Sequence, residues 1–227
     1  MFLKSILNQY CILCAGYQGG ELGLCKDCMH TLPWHAALQC PQCSLVSDGN
    51  ICGSCLAASP RFDSTHALFT YDFPLDRLLQ QYKYKESLQL AHTFATMFYQ
   101  KLSSLDNTHH IDVIMPMPMH NKRLQERGFN QALELARILA KLTKFPLDYN
   151  ACQRVKLTPP QASLPLKERT KNIRGVFTCT NDLHGLNIAI VDDVMTTGAS
   201  LDELAKTLKL AGAAHIECWV IARTLPK

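Results

Sequence analysis

The sequence predicts an α/β domain with a largely parallel sheet, preceded by a small module that depends on cysteine rather than on an apolar core. Three observations carry this. Four C-x-x-C pairs crowd the first 55 residues. Beyond Arg61, strand-like segments alternate with amphipathic helical ones. Ile188-Ala189-Ile190-Val191 is a continuous apolar run of the kind found in a strand buried on both faces.

With 227 residues the chain has room for one well-buried domain and a small attachment, not for two large cores. A hydrophobic fraction of 47% and a charged fraction of 19% belong to a folded globular protein and leave no composition signal for a long disordered region. The net charge of +4 is too small to announce a nucleic-acid binder, so the placement of Lys and Arg matters more than their sum. Lys4 interrupts the apolar start and no small-residue cleavage site follows it, which argues against a signal peptide. No window approaches the roughly 18 apolar residues of a membrane span. The expectation is a cytoplasmic protein, in which cysteines serve purposes other than disulfides.

Eight of the eleven cysteines form the pairs Cys11/Cys14, Cys25/Cys28, Cys40/Cys43 and Cys52/Cys55. The surrounding stretch is rich in turn formers such as Gly16, Gly19, Gly20, Pro33, Pro41 and Gly49, and cannot assemble a sizeable apolar core. A C-x-x-C turn puts two soft thiolates on one side of a knuckle, and two knuckles complete a tetrahedral zinc site. Eight cysteines therefore predict two structural Zn2+ ions, whose binding would supply folding energy. Ten residues separate Cys14 from Cys25 and eight separate Cys43 from Cys52, so sequential pairing into two zinc ribbons closes short loops of similar length. Redox-active pairs are the alternative, but one redox motif does not explain four regular copies. The expected division is residues 1–58 for the zinc-ribbon module and 59–227 for the α/β domain. Cys152, Cys179 and Cys218 stand apart from any partner motif and read as small core residues.

The α/β elements follow in order. Thr65 to Tyr71 reads as a strand, and Leu88, Ala91, Phe94, Ala95, Phe98 and Leu102 share one helical face. Ile111 to Met115 is the next strand, ended by Pro116 and Pro118. Ala132, Leu135, Ala136, Leu139 and Leu142 mark an inward helical face. After the central strand at 188–191, Leu201, Leu204, Ala205 and Leu208 define a helix closed by Gly212, and His215 to Arg223 supplies a last strand.

The chemistry concentrates where the central strand ends. Asp192-Asp193-Val194-Met195-Thr196-Thr197-Gly198-Ala199-Ser200 reads as an acidic pair, then a loop that opens a helix. Ligands of open α/β sheets bind at the carboxyl edge of the strands. There the two carboxylates can accept hydrogen bonds from vicinal sugar hydroxyls or help position Mg2+. Loop amides, Gly198 and the hydroxyls of Thr196, Thr197 and Ser200 suit a phosphate. One turn thus has the chemistry to grip both ends of a ribose 5-phosphate. The plainer reading is a solvated strand end with Ser200 as a helix cap.

Two further segments are basic. Met115 to Gln131 lies between a strand and a helix, where a second anion loop would fit, with Lys122, Arg123 and Arg127 facing a pyrophosphate; the plainer reading is a solvated basic turn with Asn130 capping the helix. Gln161 to Phe177 carries Lys167, Arg169, Lys171 and Arg174 around Asn172, in a stretch whose Pro159, Pro160 and Pro165 oppose regular structure. It reads as a mobile loop.

The acidic-to-glycine turn resembles the signature by which type I phosphoribosyltransferases bind phosphoribosyl pyrophosphate (PRPP). The four-knuckle module, Tyr71-Asp72 with Lys83-Tyr84, Arg127-Gly128-Phe129-Asn130-Gln131, the Gln161 to Asn172 segment and the 191–198 turn together make the chain similar to the ComF family, and within it to GntX-like proteins, over essentially its full length. Ala15 and Ser44 depart from the Gly that often follows a knuckle's second Cys.

The resemblance implies a type I phosphoribosyltransferase fold, a parallel sheet flanked by helices with a small N-terminal zinc-ribbon module. It also implies a link to DNA uptake in natural transformation and the use of external DNA. In an enzyme, Asp192, Asp193 and Thr196 to Ser200, Ala199 included, would hold magnesium-bound PRPP, while Arg123, Arg127, Lys122 and Lys83 would meet the departing pyrophosphate. No residue identifies the phosphoribosyl acceptor, and no segment reads as a base-recognition pocket. The alternatives are a nucleobase-salvage phosphoribosyltransferase, or a non-catalytic PRPP sensor that binds single-stranded DNA. Lys83, Tyr84, Lys85, Phe129 and Trp34 would serve that last reading, although such aromatics more often belong to a core. Type I relatives often dimerise, so the expectation is a monomer or homodimer.

Overall fold

A computed structural model of the chain describes residues 10–84, 88–104, 110–158 and 172–226. Two short helices, α1 (Lys26–His30) and α2 (Gly53–Ala57), belong to the cysteine-rich segment. The remainder runs β1 (Ser64–Thr70), α3 (Leu75–Tyr84), α4 (Leu88–Ser103), β2 (Val113–Pro116), α5 (Asn121–Arg127) and α6 (Gln131–Thr143). It continues with β3 (Cys152–Arg154), β4 (Phe177–Cys179), β5 (Asn187–Met195), α7 (Ala199–Leu210) and β6 (His215–Arg223).

Four strands form a sheet in the order β1-β6-β5-β2, parallel at every junction. The side-chain period of two divides each central strand between two cores. Ala189, Val191, Trp219 and Ile221 join one cluster with α3, α4 and α6. Ile188, Ile190, Ile216, Cys218 and Val220 join the other, with Leu201, Leu204 and Leu208 of α7. With helices on both faces, the buried positions of β5 and β6 are mostly apolar, as a parallel sheet requires, with Glu217 and Arg223 the buried charged residues of β6.

The strands and helices expected between residues 65 and 223 are all present, with differences that bear on function. β5 does not end at Val191; its pairing with β6 continues through Asp192↔Val220, Val194↔Ala222 and Met195↔Arg223, so the acidic pair lies within the strand. The Met115 to Gln131 segment is not only a loop, since α5 occupies its middle, with the His120 side chain accepting from the Lys122 N–H and Gly128 closing the helix at φ 83°. Cys152 and Cys179 are not apart from each other, because they face one another across the antiparallel β3–β4 pair. Helix α3 was not anticipated, although Leu75, Leu78, Leu79 and Tyr82 are fully buried along it.

The cysteine-rich segment lies along β1, the strand at the sheet edge. His35 N–H donates to the Leu68 carbonyl, Thr70 N–H to Pro33 and Thr65 N–H to Pro41, so the segment covers an edge that would otherwise be unpaired. The Trp34 ring packs 4.7 Å from Phe69. Cys11, Leu24 and Leu32 join one core cluster, and Cys40, Cys43 and Cys55 join the other.

Candidate functional site

Because all four strands run the same way, their carboxyl ends meet at one edge. There β5 delivers Asp192 and Asp193, and the chain turns through Thr196, Thr197 and Gly198 into α7. Gly198 has φ +81°, and a Cβ there would come within 2.8 Å of the Met195 side chain, so the turn calls for glycine. Thr196 and Thr197 are exposed, and Ala199 and Ser200 are half-buried. The Thr197 hydroxyl accepts from Ala199 N–H at 3.3 Å. The turn therefore offers hydroxyls and a helix N-terminus on its outer side, which is the equipment for an anion.

Asp192 accepts from the Asp193 N–H at 2.9 Å, and Asp193 meets the Lys83 ammonium at 2.9 Å. Burial, followed by the neighbouring Asp193 charge, pushes the Asp192 carboxyl up to about 7; Lys83 and Arg154 pull against this. Burial works to lower Lys83, but the charge and hydrogen bond of Asp193 together with the charge of Asp192 hold it above its ordinary value.

Lys83 and Arg154 act on this pair, and further cations lie on α5. On α5, Arg123 and Arg127 sit one turn apart; Arg123 donates to the Thr158 carbonyl at 2.5 Å and Arg127 to Gln131 Oε1 at 2.8 Å. Lys122 is exposed on the same helix. Gln131 also receives the Tyr82 hydroxyl on its carbonyl at 2.7 Å, which fixes the start of α6 against the end of α3. Asn130 caps α6 at the Ala132 N–H. Phe129 is half-buried and packs edge-on to Tyr82 with centroids 6.1 Å apart, whereas Trp34, packed on Phe69, stays 40% exposed.

Arg154 went unnoticed in the sequence. It reaches the Thr158 hydroxyl at 2.6 Å, lies 5.7 Å over the Phe177 ring, and is attracted by Asp192. Its Nε is buried with no hydrogen-bond partner among the described residues. Burial, then repulsion from Arg123, lowers its pKa. Two half-buried guanidinium groups thus converge on Thr158 beside a carboxylate that is only partly ionised at neutral pH, and such an excess of positive charge suits a polyanion.

Of the expected mobile-loop residues, Gln161, Lys167 and Arg169 lie outside the described residues. Asn172 is half-buried, and its Nδ2 has no hydrogen-bond partner among the described residues.

The eight N-terminal cysteines form two groups that could hold a metal ion, Cys11/Cys14/Cys25/Cys28 and Cys40/Cys43/Cys52/Cys55, and this is the sequential pairing. Within each group the sulfurs lie within 4.8 Å of one another. Cys14 and Cys25 are 3.8 Å apart and Cys43 and Cys52 are 3.6 Å apart. A tetrahedron with ~2.3 Å metal–sulfur bonds has edges of about 3.8 Å, so the geometry fits zinc. Burial would raise the Cys11 and Cys40 thiols, but surrounding backbone N–H groups overcome it and hold them at about 6 and about 7, whereas burial and the neighbouring thiols push Cys28 and Cys55 up. Ala15 and Ser44 follow the knuckles at φ 58° and 57°, adopting the left-handed conformation that glycine would take there.

No protein-family model matches the chain. It is 30% identical over 230 residues to Competence protein F of Haemophilus influenzae, covering 97% of this chain and 100% of that one. It is 29% identical over 211 residues to DNA utilization protein YhgH of Escherichia coli K12, covering 91% of this chain and 92% of the relative. To Competence protein ComFC of Bacillus subtilis it is 26% identical over 210 residues, or 88% and 84% of the two chains. Among solved structures it is similar to glutamine PRPP amidotransferase from B. subtilis (TM-score 0.37, 18% identity), covering 57% of this chain and only 25% of that one. It is also similar to a purine phosphoribosyltransferase from Pyrococcus horikoshii (TM-score 0.36, 20% identity), covering 70% of this chain and 87% of the other. Full-length identity to a competence protein, carried by a chain that joins two four-cysteine groups to an acidic strand end, shows that this protein belongs to the ComF family.

Proposed function

We propose that the Asp192 to Ser200 turn binds PRPP with a divalent cation such as magnesium, and that the protein is a phosphoribosyltransferase-type member of its family acting in DNA uptake or use. One observation carries the reading: at the end of β5, two carboxylates stand beside an outward-facing hydroxyl and amide loop, while Arg123 and Arg154 converge nearby on Thr158. The loop suits the 5-phosphate, the carboxylates suit the ribose hydroxyls, and the arginines suit the pyrophosphate. A cation shared between the carboxylates and the ligand's own oxygens would offset part of the ligand's charge.

Transfer breaks the bond between the ribose C1 and a pyrophosphate oxygen, so negative charge grows on the leaving group. Fixed guanidinium groups at that point favour the transition state over the ground state. Two Zn2+ ions, one in each four-cysteine group, would be structural, because four thiolates leave no position for a substrate.

The test is calorimetric titration of PRPP with and without magnesium, followed on the same sample by an acceptor screen for pyrophosphate release. Magnesium-dependent binding lost in Asp192→Ala supports the reading, and release of pyrophosphate with any acceptor makes the protein an enzyme. Absence of PRPP binding in the folded, zinc-loaded wild type overturns it.

A further inference from the structure

Arg223, the last residue of β6, is 4% exposed and lies between the second four-cysteine group and the anion loop. Its Nε donates to the Cys43 carbonyl at 2.8 Å. Its Nη1 donates to the Met195 carbonyl at 3.1 Å, to the Thr196 carbonyl and to the Thr224 carbonyl at 2.9 Å. One rigid guanidinium therefore touches both a residue that ligates in the second group and the two residues that open the loop. Cys43 and Arg223 are 180 positions apart in sequence, so the link exists only in the fold.

The contact has a directional consequence. In a trans peptide the C=O and the following N–H point in opposite directions. Pinning the Met195 and Thr196 carbonyls on Arg223 aims the N–H groups of Thr196 and Thr197 to the other side of the loop, away from the protein interior. These are the donors that a phosphate in the turn would meet. The Cys43 end is equally constrained, because Cys43 sits 3.6 Å from Cys52 in a cluster that a metal would lock. A four-thiolate zinc site also carries a formal charge of about −2, which favours a cation buried against it.

We infer that Arg223 is a positioning residue that couples the second thiolate site to the phosphate loop, so that metal held by Cys40, Cys43, Cys52 and Cys55 raises the loop's affinity for a phosphate-bearing ligand. The ligand part rests on the PRPP reading; the mechanical coupling does not. By thermodynamic reciprocity the ligand must also tighten the metal in that site, while the first site, which Arg223 does not touch, stays indifferent.

The experiment uses the full chain loaded with two zinc ions. Amide hydrogen exchange at Ala199 and Thr224, whose N–H groups are held by the Thr197 hydroxyl and the Met195 carbonyl, is followed in wild type, Arg223→Gln, Cys52→Ser and Cys14→Ser, with zinc content measured for each. The expected result is exchange about tenfold faster in Arg223→Gln and Cys52→Ser, unchanged in Cys14→Ser, and no faster still in the Arg223→Gln/Cys52→Ser double variant. Should Cys52→Ser fail to accumulate, a chromophoric chelator that strips zinc from wild type replaces it. With PRPP added, wild type should release one of its two zinc ions about tenfold more slowly, and Arg223→Gln should show no such protection.

Loop exchange that ignores loss of the second site, or additive effects in the double variant, overturns the coupling. If wild type does not bind PRPP but the exchange results hold, the ligand assignment fails and the coupling stands.

Discussion

Lys83 Nζ lies 2.9 Å from Asp193 Oδ2, joining the end of α3 to the end of β5 across 110 residues of sequence. The Lys83 ammonium of this pair pulls down the carboxyl of Asp192, against burial and the Asp193 charge, which both raise it. Lys83→Met removes that attraction, so Asp192 titrates higher than about 7 and is more protonated at neutral pH. A protonated carboxyl is a poor partner for a cation. Magnesium-dependent PRPP affinity at pH 7 should fall about tenfold in this variant and recover in part as pH is raised toward 8.5. Calorimetry over that range checks it, and a pH-independent loss contradicts it.

Arg154 offers a buried Nε with no hydrogen-bond partner among the described residues, and it shares Thr158 with Arg123. An anion that satisfies this donor gains a charge-assisted hydrogen bond worth roughly 1.5–3 kcal/mol. Arg154→Gln should therefore weaken PRPP binding about 10- to 100-fold. Ribose 5-phosphate, which has no pyrophosphate, should lose little. Comparing the two ligands separates a pyrophosphate contact from general damage to the site.

The acidic turn was legible in the sequence because strand end, carboxylates, glycine and helix start are contiguous. The pairing of cysteines was legible because spacing alone favours short loops. Arg154 was not, because it sits in a three-residue strand whose partner begins 23 residues later, and a short charged strand looks like a solvated turn. α5 was missed for a different reason: it buries no residue and so has no apolar periodicity. α3 did carry that periodicity, with Leu75, Leu78, Leu79 and Tyr82 at helical spacing, yet ten residues after Pro74 with a strongly polar outer face give a weak signal. The extension of β5 past Val191 depended on hydrogen bonds to β6, which no local pattern encodes.

Asp192 also sets a cost in stability. Its folded pKa of about 7 lies above its ordinary value of 3.8, so between those limits the folded state binds more protons than the unfolded state. Stability should therefore decline as pH rises through that window and be lowest above pH 7. Asp192→Asn removes the buried charge. Above pH 7 it should stabilise the ligand-free protein by on the order of 1–2 kcal/mol, with no gain below pH 4, while abolishing magnesium-dependent PRPP binding. Thermal unfolding at pH 5 and pH 8 checks the sign: an equal effect at both values would deny Asp192 the raised pKa.

Ala15 provides a test of the first knuckle that leaves every cysteine in place. It is exposed, and its φ of 58° puts its Cβ close to its own carbonyl, a conformation that costs an L-residue about 1 kcal/mol. Its N–H donates to the Cys11 carbonyl at 2.8 Å, so the turn is fixed by the knuckle and cannot relax the strain away. Ala15→Gly removes the Cβ but adds freedom to the unfolded chain, and at a left-handed position the first effect prevails. The variant should hold zinc against a chromophoric chelator severalfold longer at one of the two sites and leave the other unchanged. Ser44→Gly should not mirror it. Ser44 is fully buried and its hydroxyl donates to Gln39, so losing the side chain removes an anchor along with the strain. Faster zinc loss in Ala15→Gly would mean that the left-handed turn is not what the knuckle requires.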